Sequence, residues 1–124
     1  MAANPYMQYQ EQSIMTMTQG ELVVKLFDGC LKQLNSAVYY LEEKQYDKAN
    51  TSLQKAQRIV NYLDASLDMK YEISENLHAL YEYFARLIVR ANIRKQTEPI
   101  KEIIPMIDGL RDSFKQAERK IHMH

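Results

Sequence analysis

Four stretches of this chain set apolar side chains at alternating steps of three and four residues, and nothing else in the sequence competes with that pattern. In the second stretch Tyr46, Ala49, Leu53, Ala56, Val60, Leu63 and Leu67 run 3-4-3-4-3-4. In the first, Val23, Phe27, Cys30, Leu34, Ala37 and Leu41 form the stripe, thickened by Leu26, Leu31 and Val38. In the third it is Ile73, Leu77, Leu80, Phe84, Leu87 and Ala91, widened by Tyr81 and Ile88. The fourth carries Ile100, Ile103, Ile107, Leu110, Phe114, Ala117 and Ile121. Such spacing lines one face of an α-helix and packs as coiled coils do.

Punctuation divides the helices. Thr18-Gln19-Gly20-Glu21 reads as a capping box opening the first. Glu42 to Gln45 is its polar end and loop, and Asp68 to Glu72 breaks the second pattern. Arg94-Lys95-Gln96 is a basic end that suits the negative pole of the third helix. Thr97 caps the fourth, with Pro99 in its first turn. Pro105 and Gly109 interrupt that helix, and Pro105 is expected to kink it. Loops of about five residues join antiparallel neighbours, so the predicted fold is all-α. It is an antiparallel up-down-up-down four-helix bundle with an extended N-terminal segment. Residues 1–17 form that segment, 18–121 the bundle and 122–124 a fraying tail.

Only three glycines and three prolines punctuate 124 residues, too few for an all-β fold. Sixteen basic side chains balance sixteen acidic ones, which gives no bulk attraction to nucleic acid or to an anionic membrane. No apolar run approaches the ~20 residues of a membrane span. The N-terminus lacks a secretory signal, so cytoplasm is expected. The single cysteine, Cys30, closes no intrachain disulfide and falls on a core stripe as a buried thiol.

Chemistry is hard to place. There is no glycine-rich phosphate loop. Glu75 and His78 have the Glu-x-x-His spacing of di-iron bundles, but no second copy exists and the pair falls off the apolar stripe. Arg86, Arg90 and Arg94 share a helix face, read as solvated and ion-paired because Glu82 stands four residues before Arg86. No catalytic residue, cofactor or metal is expected. What remains is surface: nine Tyr and seven Met, with Tyr62, Tyr71, Tyr83, Val89 and Ile93 off the core stripes. An adaptable peptide-binding protein presents such groups.

The residues also carry a resemblance. Asn4-Pro5-Tyr6, Tyr9-Gln10 and Ser13-Ile14-Met15-Thr16 are followed by Thr18-Gln19-Gly20-Glu21-Leu22 and Lys25-Leu26-Phe27-Asp28-Gly29-Cys30-Leu31. Then come Lys55-Ala56-Gln57-Arg58-Ile59-Val60, Leu63-Asp64-Ala65-Ser66-Leu67-Asp68, Asn76-Leu77, Ala79-Leu80-Tyr81, Tyr83, Ala91-Asn92-Ile93 and Arg111-Asp112-Ser113-Phe114. In this order and spacing, over residues 4–117, the chain resembles the flagellar secretion chaperones for flagellin, the FliS family. It departs where Gln19-Gly20 replaces the more usual Ser/Thr-Pro, and at Pro105 and Gly109.

The resemblance implies a cytosolic, stoichiometric export chaperone. It would bind the disordered C-terminal segment of flagellin, prevent premature polymerisation and keep the subunit competent for flagellar type III secretion. Contact with the export apparatus or other flagellar regulators would follow, from a monomer or weak homodimer. The residues expected at the client surface are Tyr62, Leu67, Tyr81, Tyr83 and Phe84, with Asn61, Asn76 and Asn92 as polar contacts. Phe84 and Leu67 also fit core positions. Tyr6, Tyr9, Ile14 and Met15 are expected either to occupy a client groove of the free protein or to staple the first helix permanently. The alternative function is a self-associating helical bundle with another protein client.

Overall fold

The computed structural model describes residues 19–122. Thr18, and with it the hydroxyl half of the expected capping box, lies outside them, as do Tyr6, Tyr9, Ile14 and Met15. Four α-helices account for almost all of the described chain: α1 (Gln19–Glu42), α2 (Tyr46–Ala65), α3 (Ile73–Arg94) and α4 (Glu98–His122). Each packs against two others, α1 on α2 and α4, α3 on α2 and α4, which closes a four-helix bundle. The α1–α2 seam is the most extensive and the α3–α4 seam the thinnest.

Cross-helix contacts fix the antiparallel sense. Asn92 donates to Asn50 at 2.7 Å near the start of α2, while His78 meets Asp64 at 2.6 Å near its end. Arg111 reaches Asp28, and Lys101 reaches Glu42, along the α1–α4 seam.

The apolar stripes meet inside. Phe27, Cys30, Leu34 and Ala37 of α1 face Leu53, Ala56, Val60 and Leu63 of α2 and Ile100, Ile103 and Ile107 of α4 within one core. Phe27 is the aromatic hub, its ring centroid 5.5 Å from that of Phe114 and 6.4 Å from that of Tyr81. On α3 the buried set is Leu77, Tyr81, Phe84, Leu87, Ile88 and Ala91, and Leu80 is only half-buried. The helix is thus turned slightly from the expected orientation, with Tyr81 and Ile88 at the centre of the stripe rather than on its margin.

The turns are built from polar chemistry. After α1, Lys44 takes a left-handed φ of 57°, its amide bonds the Leu41 carbonyl, and the Gln45 amide bonds that of Tyr40. This is the Schellman stop, normally glycine's place. Lys95 repeats the left-handed conformation after α3. Between α2 and α3, Asp68 organises the loop: its carboxylate accepts the Lys70 amide at 3.1 Å and its carbonyl the Ser74 hydroxyl at 2.7 Å.

Helix α4 runs unbroken through Pro105 and Gly109. Pro105 lies on the exposed face, as does Lys101, whose carbonyl loses its intrahelical donor there. Water can serve that carbonyl, so the interruption costs one backbone bond rather than the helix. Among the described residues no helix is long and apolar enough to cross a membrane.

Candidate partner-binding surface

The core is covered more completely at one end of the bundle than at the other, the open end. Where α1 ends, α2 begins, α3 ends and α4 begins, Leu41, Ala49, Leu53, Ala91, Ile100 and Ile103 are buried. At the opposite end Val23, Leu26, Ile59, Leu67, Leu80, Leu110 and Phe114 touch the core yet stay partly exposed. Beyond them the α2–α3 connection presents large side chains outright: Tyr62 is 55 % exposed, Met69 56 %, Tyr71 59 % and Ile73 61 %. Tyr62 and Tyr71 are two of the residues expected off the stripes. Ile73 opened a stripe, but it stands exposed in the first turn of α3.

Polar links hold this end together. His78 Nδ1 lies 2.6 Å from Asp64 Oδ1 on α2, and its Nε2 lies 3.0 Å from Glu82 Oε1 one turn along α3. The hydrogen bond to Asp64 does most to raise the imidazole pKa above 6.5; desolvation, the next influence, opposes it, and the negative charges of Asp64 and Glu82 add to the rise. On the α1–α4 seam the Arg111 guanidinium meets Asp28 at 3.2 Å, Asp108 at 2.8 Å and Asp112 at 3.2 Å. Its Nε is buried without an acceptor among the described residues. The hydrogen bond to Asp28, ahead of that to Asp112, holds this guanidinium more firmly protonated than usual.

The expected contact residues do not form one site. Asn61 and Tyr62 are exposed on the last turns of α2, Leu67 is half-buried just past its end, and Asn76 is exposed in the first turn of α3. These four belong to the open end. Tyr81 and Phe84 are 2 % and 1 % exposed, inside the core, so neither offers surface in this conformation. Burial pushes the Tyr81 phenol up to about 12, with the Asp64 charge adding to the rise. Tyr83 is half-buried, and the neighbouring Glu102 carboxylate holds its phenol pKa above the usual value. Asn92 is at the better-covered end, donating to Asn50 and accepting from Lys95 Nζ at 2.8 Å. Met69 and Tyr71 enlarge the open end. Met69 carried no signal, because a lone Met in a polar loop reads as a loop residue.

One ionic expectation is corrected. Glu82 pairs with His78 and not with Arg86. Glu75 is exposed, and His78 turns to Asp64 and Glu82 instead of pairing with it. Among the described residues no three His, Cys, Asp or Glu side chains gather closely enough to hold a metal ion. Cys30 is buried beside Leu31 and Leu34, and desolvation pushes its thiol up to about 12. At neutral pH it carries almost no thiolate, the form that reacts.

The family model described as Flagellar protein FliS matches residues 2–121 of this chain. The chain is 38 % identical over 120 residues to the protein named Flagellar secretion chaperone FliS from Bacillus subtilis, covering 94 % of this chain and 90 % of that one. It is 34 % identical over 110 residues to the protein of the same name from Escherichia coli, covering 86 % and 81 %. The Salmonella typhimurium protein of that name is 32 % identical over 113 residues, covering 89 % and 84 %.

Proposed function

The chain belongs to the FliS family of flagellar secretion chaperones, which are not enzymes, and from that premise we propose that its client is the disordered C-terminal segment of flagellin. In this reading it holds the segment in the cytoplasm, keeps flagellin from polymerising early and leaves it competent for type III export. The observation that carries the reading is the open end of the bundle, where Tyr62, Met69, Tyr71 and Ile73 stand exposed beside half-buried core residues.

A disordered client has apolar anchors spread along its length and can press them one by one into shallow helix–helix grooves. Its ordering cost lowers the net affinity, which suits a partner that must be handed on. Tyr and Met adapt to several anchor shapes at little cost. The contact of His78 with Asp64 ties α3 to α2 beneath that surface.

The test is calorimetric titration of the full chain with a peptide from the last ~40 residues of the host's flagellin, long enough to wrap such a surface. One-to-one binding with a large negative heat-capacity change is expected. No heat with an intact peptide would overturn the client assignment. A mass that rises with protein concentration would then point to self-association through the same patch.

A further inference from the structure

A second surface lies away from the open end, on the outer face of α3 and toward its C-terminus. Arg86, Arg90 and Arg94 repeat one helical turn apart, about 6 Å along the axis. None of the three has an ion-pair partner among the described residues. The nearby carboxylates do not pair with the row. Glu82, four residues before Arg86, is held by His78. Glu98 and Glu102 share a shallow hollow of about 530 Å³ with Arg90 and Arg94 without pairing with them. Like charges at i, i+4 destabilise a helix; Arg94 in the last turn is offset by the helix dipole, whereas Arg90 has no ion pair among the described residues to offset its neighbours.

Two further features accompany the row. Val89 and Ile93, also one turn apart, stand exposed beside it at 37 % and 76 %. The guanidinium of Arg86 lies 5.7 Å over the ring of Tyr83. One arginine is therefore already positioned, which reduces the ordering cost of a contact.

We propose that this face of α3 docks an acidic amphipathic helix of a partner protein, its carboxylates repeating every fourth residue beside an aliphatic edge. The charge complement is a row of three, and its pitch is that of a helix. The exposed aliphatic pair has nothing to meet on a nucleic-acid backbone. Two aliphatic side chains on a helix already packed into a bundle are too little to enter a lipid interface. The site does not depend on the flagellin reading, since it lies toward the other end of the bundle from Tyr62, Met69, Tyr71 and Ile73.

The test uses the isotope-labelled full chain and a synthetic helical peptide of about 18 residues, long enough to hold its turns. The peptide carries Glu at every fourth position beside Leu, and a control has Gln for Glu. Amide shifts confined to the Tyr83–Arg94 stretch are expected with the Glu peptide and not with the Gln peptide. Binding should weaken about tenfold in an R86Q/R90Q/R94Q variant, the loss expected of three exposed ion pairs, while titration with the flagellin peptide stays unchanged. These side chains are exposed, so the variant folds, and its unfolding curve verifies this. Equal binding of both peptides, shifts elsewhere, or an unaltered triple variant would each overturn the proposal. So would preferential binding of phosphatidylserine vesicles or of a single-stranded oligonucleotide over the Glu peptide.

Discussion

His78 is held by carboxylates on both ring nitrogens, and the shorter contact, 2.6 Å from Nδ1 to Asp64 Oδ1, ties the second turn of α3 to the last turn of α2. Two neighbouring negative charges favour the imidazolium, and the folded pKa lies above 6.5. A raised pKa means that folding takes up a proton. The contribution is full below the unfolded pKa and fades as pH rises through the folded one. Urea unfolding of the parent and of His78→Gln, followed from about pH 5.5 to 8.5, is therefore expected to show the widest gap on the acid side. The gap should narrow above pH 6.5. A constant gap would mean that His78 acts by packing alone.

Lys44 occupies a left-handed turn where, among the described residues, its side chain makes no hydrogen bond or ion pair, so only the turn's backbone bonds offset the strain of its conformation. Glycine adopts that region freely but loses more entropy on folding. Taken together, Lys44→Gly is expected to stabilise the protein by about 0.5–1 kcal/mol. Thermal unfolding at constant pH measures it. Lys95 has the same geometry, but its Nζ donates to Asn92, so the gain there should be smaller.

These two lysines also mark where the sequence stops being readable. Where the chain turns after α1 and α3 was visible from polarity, but the Schellman geometry was not, because neither turn carries the glycine that signals it. The helical stripes were legible almost residue by residue, since Phe27, Leu34, Leu53, Val60 and Ile103 obey one period. Which of Leu80 and Tyr81 points inward was not, because adjacent residues on a wide apolar face fit a 3-4 pattern equally well. The structure buries Tyr81 against Phe27 and Phe84. Glu82 stands four residues from both His78 and Arg86. Asp64 decides between them by drawing the imidazole from another helix, which no local spacing reveals. The open end was legible only in part: Tyr62 and Tyr71 stood off the stripes, whereas the exposure of Ile73 and Met69 was not visible in the spacing.

Cys30 should be silent in the folded protein. Its thiol is buried and pushed up to about 12 by desolvation. A thiol-specific reagent at neutral pH is expected to label it no faster than the protein unfolds, and promptly in denaturant. Fast labelling in native buffer would show that the α1 core opens locally.

The client surface and the core should separate cleanly under mutation. Phe84 is 1 % exposed and packs against Tyr81, so Phe84→Ala is expected to cost about 3–5 kcal/mol of stability, as buried aromatics do. Against a total that is commonly about 5–15 kcal/mol, this endangers the fold itself, and any lost binding would be secondary. Tyr62 and Ile73 stand in solvent at 55 % and 61 % exposure, so Tyr62→Ala with Ile73→Ser should leave the unfolding curve nearly unmoved. If the flagellin segment docks at this end, the same pair should weaken the peptide about ten- to hundredfold, as loss of apolar anchors does. The heat-capacity change of binding should shrink with it, because less apolar surface is covered. A double variant that folds normally and binds as tightly as the parent would move the client away from the α2–α3 connection. The half-buried residues of the α1–α4 groove, Leu110 and Phe114 foremost, would then be the next surface to substitute.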